Sequence, residues 1–343
     1  MLKIFSLFLC FNLLACDKPA QTHQHSSLHF GTLIDITLYD VSEEQAQSAF
    51  NQLDADFTMM HAAWSPWVAG AVNRTNTLLK TGARFSAGPS TLDMIKRSSE
   101  IANKTHHLFN PAIGELINLW QIHNSEDPDI QPPDKDAIAK LVNSNPRLSD
   151  IQINGVKLST NNSDVLLNFG AFAKGHAIDI EIAMLKNRGI KNAIINTGGD
   201  LKAIGSHGER PWYIAIQHPR QDTWLAKIET QSEESIFTSG DYERYYMYKG
   251  ERYHHILDPR TGYPAQGVQS VTVIHTDSGY ADAAATALFV AGPSGWLQMA
   301  KNLQLKQVML IDDKGVIHVS PEMQKRLTFN SQIETTILTT VPL

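Results

Sequence analysis

The sequence predicts an α+β fold. Predicted strands and helices intermix along the 343 residues without a regular β-α-β alternation, and we find no internal repeat. Hydrophobic residues make up 42% of the chain and charged residues 19%, a balance that favours a packed core and excludes wholesale disorder. The net charge of −6 argues against a nucleic-acid-binding protein, which usually carries a basic surface.

The N-terminal residues predict a lipoprotein signal peptide. Lys3 precedes a short apolar run over residues 4–14, which is too short to span a bilayer. Residues 13–16, Leu-Leu-Ala-Cys, resemble a bacterial lipobox, so residues 1–15 are predicted to be removed and Cys16 to carry lipid. A plain signal peptide and a buried strand are the alternatives.

The lipid anchor predicts where the chain resides. Asp17 follows the cysteine, which resembles an inner-membrane retention signal, so the predicted location is the periplasmic side of the bacterial inner membrane. Residues 16–28 are polar and predict a lipidated tether. The only cysteines are Cys10, which would be removed, and Cys16, which would be lipidated. Cysteine nucleophiles, zinc–thiolate sites and iron–sulfur clusters are therefore excluded.

Hydrophobic periodicity, capping residues and turn residues predict the elements in order. Residues 29–40 alternate and predict the first strand, and Ser42 is placed to cap a helix over residues 43–61. Further helices are predicted over residues 90–104, 134–143, 173–188, 281–291 and 295–303. Further strands are predicted over residues 151–159, 164–168, 192–196, 201–205, 211–217, 225–230, 236–238, 268–275, 307–312 and 315–319. Residues 123–136 are polar, contain three prolines and predict a surface loop.

Two glycine-containing clusters suggest close approach of the backbone to a ligand. Residues 168–176 place a turn at the start of a helix, where free N–H groups and the charge of Lys174 favour an anion. This segment lacks the spacing of a Walker loop, and an ordinary tight turn is the alternative. In residues 196–200, Asn-Thr-Gly-Gly-Asp, the paired glycines permit close approach, although a plain hairpin turn also fits.

Three further clusters combine groups that carry chemistry. Residues 238–245 hold two hydroxyls, two acids and two aromatic rings that could line a planar cofactor, or form a polar hairpin. Residues 254–264 place histidines near Asp258, where a histidine can accept a proton or serve a structural role. Asp282 and Thr286 lie one helical turn apart and offer the hard oxygen ligands that suit Mg²⁺, although Asp282 alone could be a helix cap.

In their order and spacing these clusters resemble the ApbE family of FAD:protein FMN transferases. The motifs that carry the resemblance are residues 109–114, 168–175, 196–200, 238–245, 255–264 and 281–289. The resemblance covers about residues 30–292 and implies that residues 29–343 form an ApbE-like domain, with twisted mixed or antiparallel sheets, packed helices and a cleft for FAD. It implies transfer of FMN from FAD to a Thr or Ser hydroxyl of an acceptor protein, typically a flavin-carrying subunit of a membrane redox pump, with release of AMP.

The resemblance also implies roles for individual residues. Mg²⁺ would be held by Asp282 and Thr286, with the backbone oxygens of Ala171 and Ala285. FAD would contact a set of residues from several segments, namely Trp67, Leu108, Phe109, Asn110, Asn168, Lys174 and the backbone near Ile256. His255 would be the base that takes the proton of the acceptor hydroxyl.

This chain departs from the family pattern at three positions. Phe30 replaces the usual Met, and Asn110 and Asn168 each replace a usual Asp, which keeps a hydrogen-bonding carbonyl but removes a charge. Two other activities fit the same site: an FAD pyrophosphatase that uses water as acceptor, and a flavin-binding lipoprotein without turnover. The Asp282–Thr286 pair favours catalysis over storage, whereas the sequence does not separate transfer from hydrolysis.

Overall fold

The computed structural model describes residues 20–122, 127 and 129–343. The predicted signal peptide, Cys16 and the first residues of the predicted tether lie outside the described residues, as do positions 123–126 and 128 of the predicted loop. Among the described residues, no helix has the length and apolar character needed to cross a membrane.

The described residues form eight α-helices and seventeen strands. The helices are α1 (Glu43–Trp64), α2 (Ala71–Leu79), α3 (Pro89–Lys104), α4 (Gly114–Trp120), α5 (Lys135–Ser144), α6 (Ala173–Asn187), α7 (Ser278–Asn302) and α8 (Pro321–Gln324). The first nine strands are β1 (Thr22–His29), β2 (Thr32–Tyr39), β3 (Phe85–Ser86), β4 (Ile151–Asn154), β5 (Lys157–Thr160), β6 (Asn192–Thr197), β7 (Asp200–Ile204), β8 (Tyr213–Gln217) and β9 (Trp224–Glu229). The others are β10 (Glu234–Gly240), β11 (Tyr245–Tyr248), β12 (Glu251–His254), β13 (Val268–His275), β14 (Gln307–Asp312), β15 (Ile317–Val319), β16 (Leu327–Phe329) and β17 (Ile337–Thr339).

A nine-stranded sheet forms the centre of the fold. Its strand order is β1-β2-β6-β7-β10-β13-β14-β15-β17, and every neighbouring pair is antiparallel except β15 and β17. Smaller sheets have the orders β16-β9-β8, β3-β5-β4 and β11-β12. The predicted α+β class with mainly antiparallel sheets is therefore observed.

Both faces of the central sheet are buried. On strand β14, Val308 and Leu310 join the main core with residues of α1, α3, α6 and α7. Met309 and Ile311, which point to the opposite face, join a second core with residues of β8 and β9. Because both faces are covered, residues on both sides of the central strands are buried, as the first seven residues of β13 show.

Local sequence sets the ends of the long helices. Ser42 and Gln45 form a reciprocal capping box at the start of α1. Gly189, with a φ of 79°, follows α6 in the left-handed conformation that commonly ends a helix. Helix α7 joins the two predicted helices of residues 281–291 and 295–303 across a kink at Gly292, whose φ of 71° is not helical and which precedes Pro293.

The prediction for the N-terminal segment was partly wrong. Residues 22–28 were assigned to the tether, but they belong to β1, which pairs with β2 across a turn at Phe30 and Gly31. Polar side chains stabilise this edge strand on α1, because the ring of His25 stacks on Phe50 at 5.1 Å and its Nε2 lies 2.7 Å from Asp54. The strand predicted over residues 29–40 is observed as β2, and β1 is a further strand that pairs with it in a hairpin.

The strand predicted over residues 164–168 is reduced in the structure to a single parallel bridge between Leu166 and Ile113. The side-chain amide of Asn76 hydrogen-bonds both backbone groups of Leu167. Oδ1 of Asn76 accepts the N–H of Leu167 at 2.7 Å, and Nδ2 of Asn76 donates to the carbonyl of Leu167 at 2.9 Å. A side chain thus supplies the hydrogen bonds that a neighbouring strand would supply. The sequence analysis also missed helices α2 and α4, which flank the loop of residues 65–70 and the motif of residues 109–114.

Candidate active site

Two helices that begin side by side bring the predicted metal and phosphate residues together. A Cβ atom at Gly175, in the first turn of α6, would overlap the backbone carbonyl of Ser278 at the start of α7, so only glycine permits this approach. Asp179 of α6 accepts the N–H groups of Ser278 at 2.8 Å and Gly279 at 3.2 Å. These contacts fix the start of α7 relative to α6.

Lys174, Asp200 and Asp282 form what we call the lysine–carboxylate cluster. The Nζ atom of Lys174 lies 3.0 Å from Oδ2 of Asp200 and 3.6 Å from Oδ1 of Asp282. Both carboxylates are buried, with relative exposures of 6% and 5%. The exposed Glu243 adds a further negative charge within electrostatic range of Lys174. The cluster joins α6, β7 and α7 at a single point.

The surroundings shift the pKa values of two members of the cluster. Burial lowers the pKa of Lys174, but the carboxylates of Asp282, Asp200 and Glu243 outweigh it, so the net shift is upward and the ammonium stays charged. Burial raises the pKa of Asp282 to about 6, with Asp200 adding to the rise and Lys174 opposing it. A cation close to Asp282 therefore favours its ionised form.

The predicted magnesium ligands offer a suitable set of oxygen atoms. Asp282 and Thr286 lie one turn apart on α7, and Oγ1 of Thr286 lies 3.3 Å from Oγ of Ser239 on β10. No residue that the structure describes donates a hydrogen bond to the carbonyl of Ala171, which leaves that oxygen free to coordinate. Ala285 is buried beside them within the helix. One carboxylate with hydroxyl and carbonyl oxygens fits Mg²⁺, which keeps several waters.

The described residues contain no metal site built from several histidine, cysteine or acidic side chains. Within the described part of the chain, no group of three or more His, Cys, Asp and Glu residues is arranged to hold a metal ion. This excludes a carboxylate-rich or histidine-rich cage there, whereas a magnesium site with few protein ligands needs no such group.

The two adjacent histidines have different environments. His254 is buried, donates from Nε2 to the carbonyl of Ala265 at 2.8 Å and accepts the N–H of Ile256 at Nδ1. Its ring therefore stabilises the loop. The Nδ1 atom of His255 is buried and has no partner among the described residues. Burial and the charges of Arg244 and Lys174, together with His254, hold the pKa of His255 well below its usual range, so this ring is neutral and free to accept a proton.

Asn110 and Asn168 connect two of the predicted motifs. Oδ1 of Asn168 accepts the N–H of Gly170 at 2.9 Å, and its own N–H donates to the carbonyl of Pro111 at 2.8 Å. Asn110 donates from Nδ2 to the carbonyl of Pro146 at 2.9 Å. Both side chains are buried, so the structure shows them shaping the loops that precede α4 and α6.

The other residues predicted to contact FAD occupy varied positions. Phe109 is buried in the main core, and Leu108 packs against that core. Ile256 is also buried, and its carbonyl accepts the N–H of Ala265. Trp67 is 53% exposed, and its indole N–H donates to Asn118 of α4 at 3.0 Å.

Asp200 is the site residue to which the sequence analysis assigned no role. The signal was present in the paired glycines and the acid of residues 196–200, but each also fits an ordinary hairpin. The structure shows that β7 lies beside β10 in the sheet and that Asp200, the first residue of β7, lies next to the ammonium of Lys174. The sequence does not contain this strand order.

The comparison with protein families establishes the class of protein. The ApbE family model matches residues 30–310, so the chain belongs to the ApbE family, as the motifs predicted. Among solved structures, the ApbE protein from Thermotoga maritima is 27% identical, with a TM-score of 0.82 over 89% of this chain and 99% of that chain. The flavin transferase ApbE from Vibrio cholerae is 25% identical, with a TM-score of 0.78 over 90% of this chain and 100% of that chain. These matches confirm the predicted fold class.

Relatives with curated names agree on one activity. A protein of Rhodobacter capsulatus, named FAD:protein FMN transferase, is 36% identical over 309 residues, which are 90% of this chain and 59% of that protein. The present chain thus spans less than two thirds of that relative. A protein of Klebsiella pneumoniae with the same name is 30% identical over 323 residues, covering 89% of this chain and 90% of that protein.

Proposed function

We propose that this chain transfers FMN from FAD to a Thr or Ser hydroxyl of an acceptor protein and releases AMP. The convergence of a charged lysine, the Asp282–Thr286 pair and a neutral histidine whose Nδ1 has no partner among the described residues carries this proposal. In the reaction, the acceptor oxygen forms a bond to the phosphorus of FMN, the bond from that phosphorus to the AMP oxygen breaks, and the hydroxyl proton moves to His255. The shared name of the relatives supports the same assignment.

The residues of the chain position the reactants and balance charge. Lys174 offers a fixed positive charge at the N-terminus of α6, where backbone N–H groups also favour the pyrophosphate. Asp282, Thr286 and the carbonyls of Ala171 and Ala285 would hold Mg²⁺. When bound, this ion would neutralise the pyrophosphate and stabilise the departing AMP. His255 stays neutral because of its lowered pKa, so its ring is unprotonated and able to act as the base at neutral pH.

We also propose that the chain is anchored by lipid at Cys16 on the periplasmic side of the inner membrane, and that its acceptor is a flavin-carrying subunit of a membrane redox pump. The lipobox-like residues 13–16 and Asp17 support the anchor. Membrane fractionation of the wild type and of Cys16→Ala in the bacterial host tests it. Retention of Cys16→Ala in the membrane would contradict the lipid anchor.

The activity is tested with residues 17–343, FAD and Mg²⁺, with and without an acceptor domain from such a subunit. The proposal predicts acid-stable flavin fluorescence on the acceptor in a denaturing gel, only with Mg²⁺, and its loss in Asp282→Ala. Free FMN and AMP in both tubes would instead establish a pyrophosphatase. Intact FAD in both tubes would contradict both activities and indicate a flavin-binding protein.

A further inference from the structure

The turn between β6 and β7 is built to place one carboxylate. Gly198 and Gly199 have φ values of 67° and 103°, which favour glycine, and Oδ1 of Asn196 accepts the N–H of Gly199 at 2.8 Å. The hydroxyl of Thr197 donates to the backbone carbonyl of Asp200 at 3.1 Å. These bonds fix the direction in which β7 leaves the turn, and Asp200 is its first residue.

The carboxylate of Asp200 has one fixed partner on each oxygen. Oδ1 accepts the backbone N–H of Thr238 at 2.8 Å, which ties it to strand β10 of the central sheet. Oδ2 lies 3.0 Å from the ammonium of Lys174. With a relative exposure of 6%, this ion pair is largely shielded from solvent at the carboxylate.

The ammonium of Lys174 and a divalent cation compete for the same oxygen atoms. Lys174 is the second residue of α6, where the helix dipole disfavours a cation, so neighbouring carboxylates must balance its charge. Asp200 and Asp282 are the two carboxylates within 4 Å of the ammonium in the described part of the chain, and Asp200 is the closer. Without Asp200, Asp282 would be the only carboxylate among the described residues left within 4 Å of the ammonium.

We propose that Asp200 is a positioning residue, which draws the ammonium of Lys174 to 3.0 Å on its own side, weakens the longer 3.6 Å ion pair with Asp282 and so keeps that carboxylate available to Mg²⁺. This inference rests on the magnesium site of the proposed function. It assigns to residues 196–200 a role that is distinct from binding either the metal or FAD. This role also explains why two hydrogen bonds fix the turn and a third ties the carboxylate of Asp200 to β10.

Mg²⁺ titration of the metal-free protein by calorimetry tests this role without turnover. Asp200→Asn retains an oxygen that can accept the Thr238 N–H but loses the ion pair, and we expect the Kd for Mg²⁺ to rise at least about tenfold. In the double variant Asp200→Asn/Lys174→Met the competing ammonium is absent, so the affinity should return to the wild-type value or become tighter. An unchanged Kd in Asp200→Asn, or no recovery in the double variant, would overturn the proposal.

Glu243→Gln is the matched control for loss of a nearby negative charge. Glu243 is in electrostatic range of Lys174 but makes no ion pair with it within 4 Å. We therefore expect a smaller rise in Kd than in Asp200→Asn. An equal rise would show that Asp200 acts through its charge alone and would contradict a positioning role.

A second measurement requires no metal. The coupling between Lys174 and Asp282 is obtained from a double-mutant cycle of unfolding free energies with Lys174→Met and Asp282→Asn. We expect this coupling to grow at least about twofold when the cycle is repeated with Asn at position 200, because the ammonium then pairs with Asp282. Unchanged coupling would overturn the proposal. If the wild type binds no Mg²⁺ in the calorimetric titration, that result contradicts the proposed function, and the double-mutant cycle then decides whether Asp200 positions Lys174.

Discussion

At Asn110 the side chain has a donor role that an aspartate carboxylate could not fill. Its Nδ2 donates to the carbonyl of Pro146, and its Oδ1 accepts the N–H of Ala112 at 3.1 Å. Asn168 has a different role, because its side chain acts as an acceptor: its Oδ1 accepts the N–H of Gly170. The two departures from the family pattern therefore have different consequences for stability.

Replacing Asn110 by Asp should destabilise the protein. Asn110→Asp removes the donor and places a buried carboxylate against the carbonyl of Pro146, at a cost of about 1–3 kcal/mol in the free energy of unfolding. Urea denaturation measures this cost. Asn168→Asp, which keeps its acceptor, is the control and should lose less. Equal losses in the two variants would contradict the assigned hydrogen bonds.

His255 should affect the transfer step more than the binding of FAD. His255→Asn removes the proposed base, so we expect acceptor labelling in a single turnover to slow by about 100-fold or more. The affinity for FAD, measured by fluorescence quenching, should change by less than about threefold, since the base acts on the acceptor. An unchanged labelling rate would show that His255 is not the base.

The neighbouring His254 provides the matched comparison. His254→Asn loses the hydrogen bond to Ala265 in the loop, so its main effect should be a lower Tm. A lower Tm for His255→Asn, with normal stability for His254→Asn, would reverse the roles that we assign to the two rings.

At the scale of elements, the close approach of α6 and α7 should be sensitive to one methyl group. Gly175→Ala would overlap the carbonyl of Ser278 and separate the helices that carry Lys174 and Asp282. We expect destabilisation by about 1–3 kcal/mol and weaker Mg²⁺ binding, measured by thermal unfolding and calorimetry. Gly88→Ala is the control, because its φ of −68° suits alanine and its Cβ would meet no atom within 4 Å. A tolerated Gly175→Ala would contradict the geometry of this helix pair.

Local signals predicted the elements whose ends depend on local chemistry. Ser42 predicted the start of α1, and the helix predicted over residues 173–188 ends next to Gly189, as α6 does in the structure. The strand predicted over residues 164–168 was wrong at Leu167, because the side chain of Asn76, 91 residues away in sequence, takes the backbone hydrogen bonds of Leu167. The spacing of Asp282 and Thr286 predicted that they share a face of α7, whereas the role of Asp200 depends on the order of strands, which periodicity does not encode.

At the scale of the whole molecule, a buried acid should make stability depend on pH. Glu181 of α6 is 1% exposed, and its Oε2 has no hydrogen-bond partner among the described residues. Burial raises the pKa of Glu181 to about 8, with Asp56 of α1 adding to the rise and Arg188 opposing it. The folded state therefore keeps a proton that the unfolded state releases above its ordinary pKa of about 4.5. The contribution of Glu181 to the free energy of unfolding therefore falls as the pH rises from about 4.5 to about 8.

Glu181→Gln should remove this dependence. The variant cannot ionise, so its advantage in unfolding free energy over the wild type should grow between about pH 5 and pH 8, reaching about 1–3 kcal/mol. Chemical denaturation at the two pH values measures the difference. A difference that does not change with pH would show that the pKa of Glu181 is the same in the folded and unfolded states and would contradict the effect of burial.

The candidate site depends on the whole fold, because its residues come from distant parts of the chain. Strand pairing of β10 with β7 and β13 brings Thr238 to Asp200, and packing of α7 on α6 brings Asp282 to Lys174. The central claim is that this assembly transfers FMN to a protein and does not only cleave FAD.

The most direct test is the ratio of AMP released to flavin bound covalently to the acceptor domain. Chromatography measures the nucleotide, and the intact mass of the acceptor measures the flavin. The account predicts a ratio close to one, dependent on Mg²⁺ and lost in Asp282→Ala. Release of AMP with no flavin on the acceptor would contradict it.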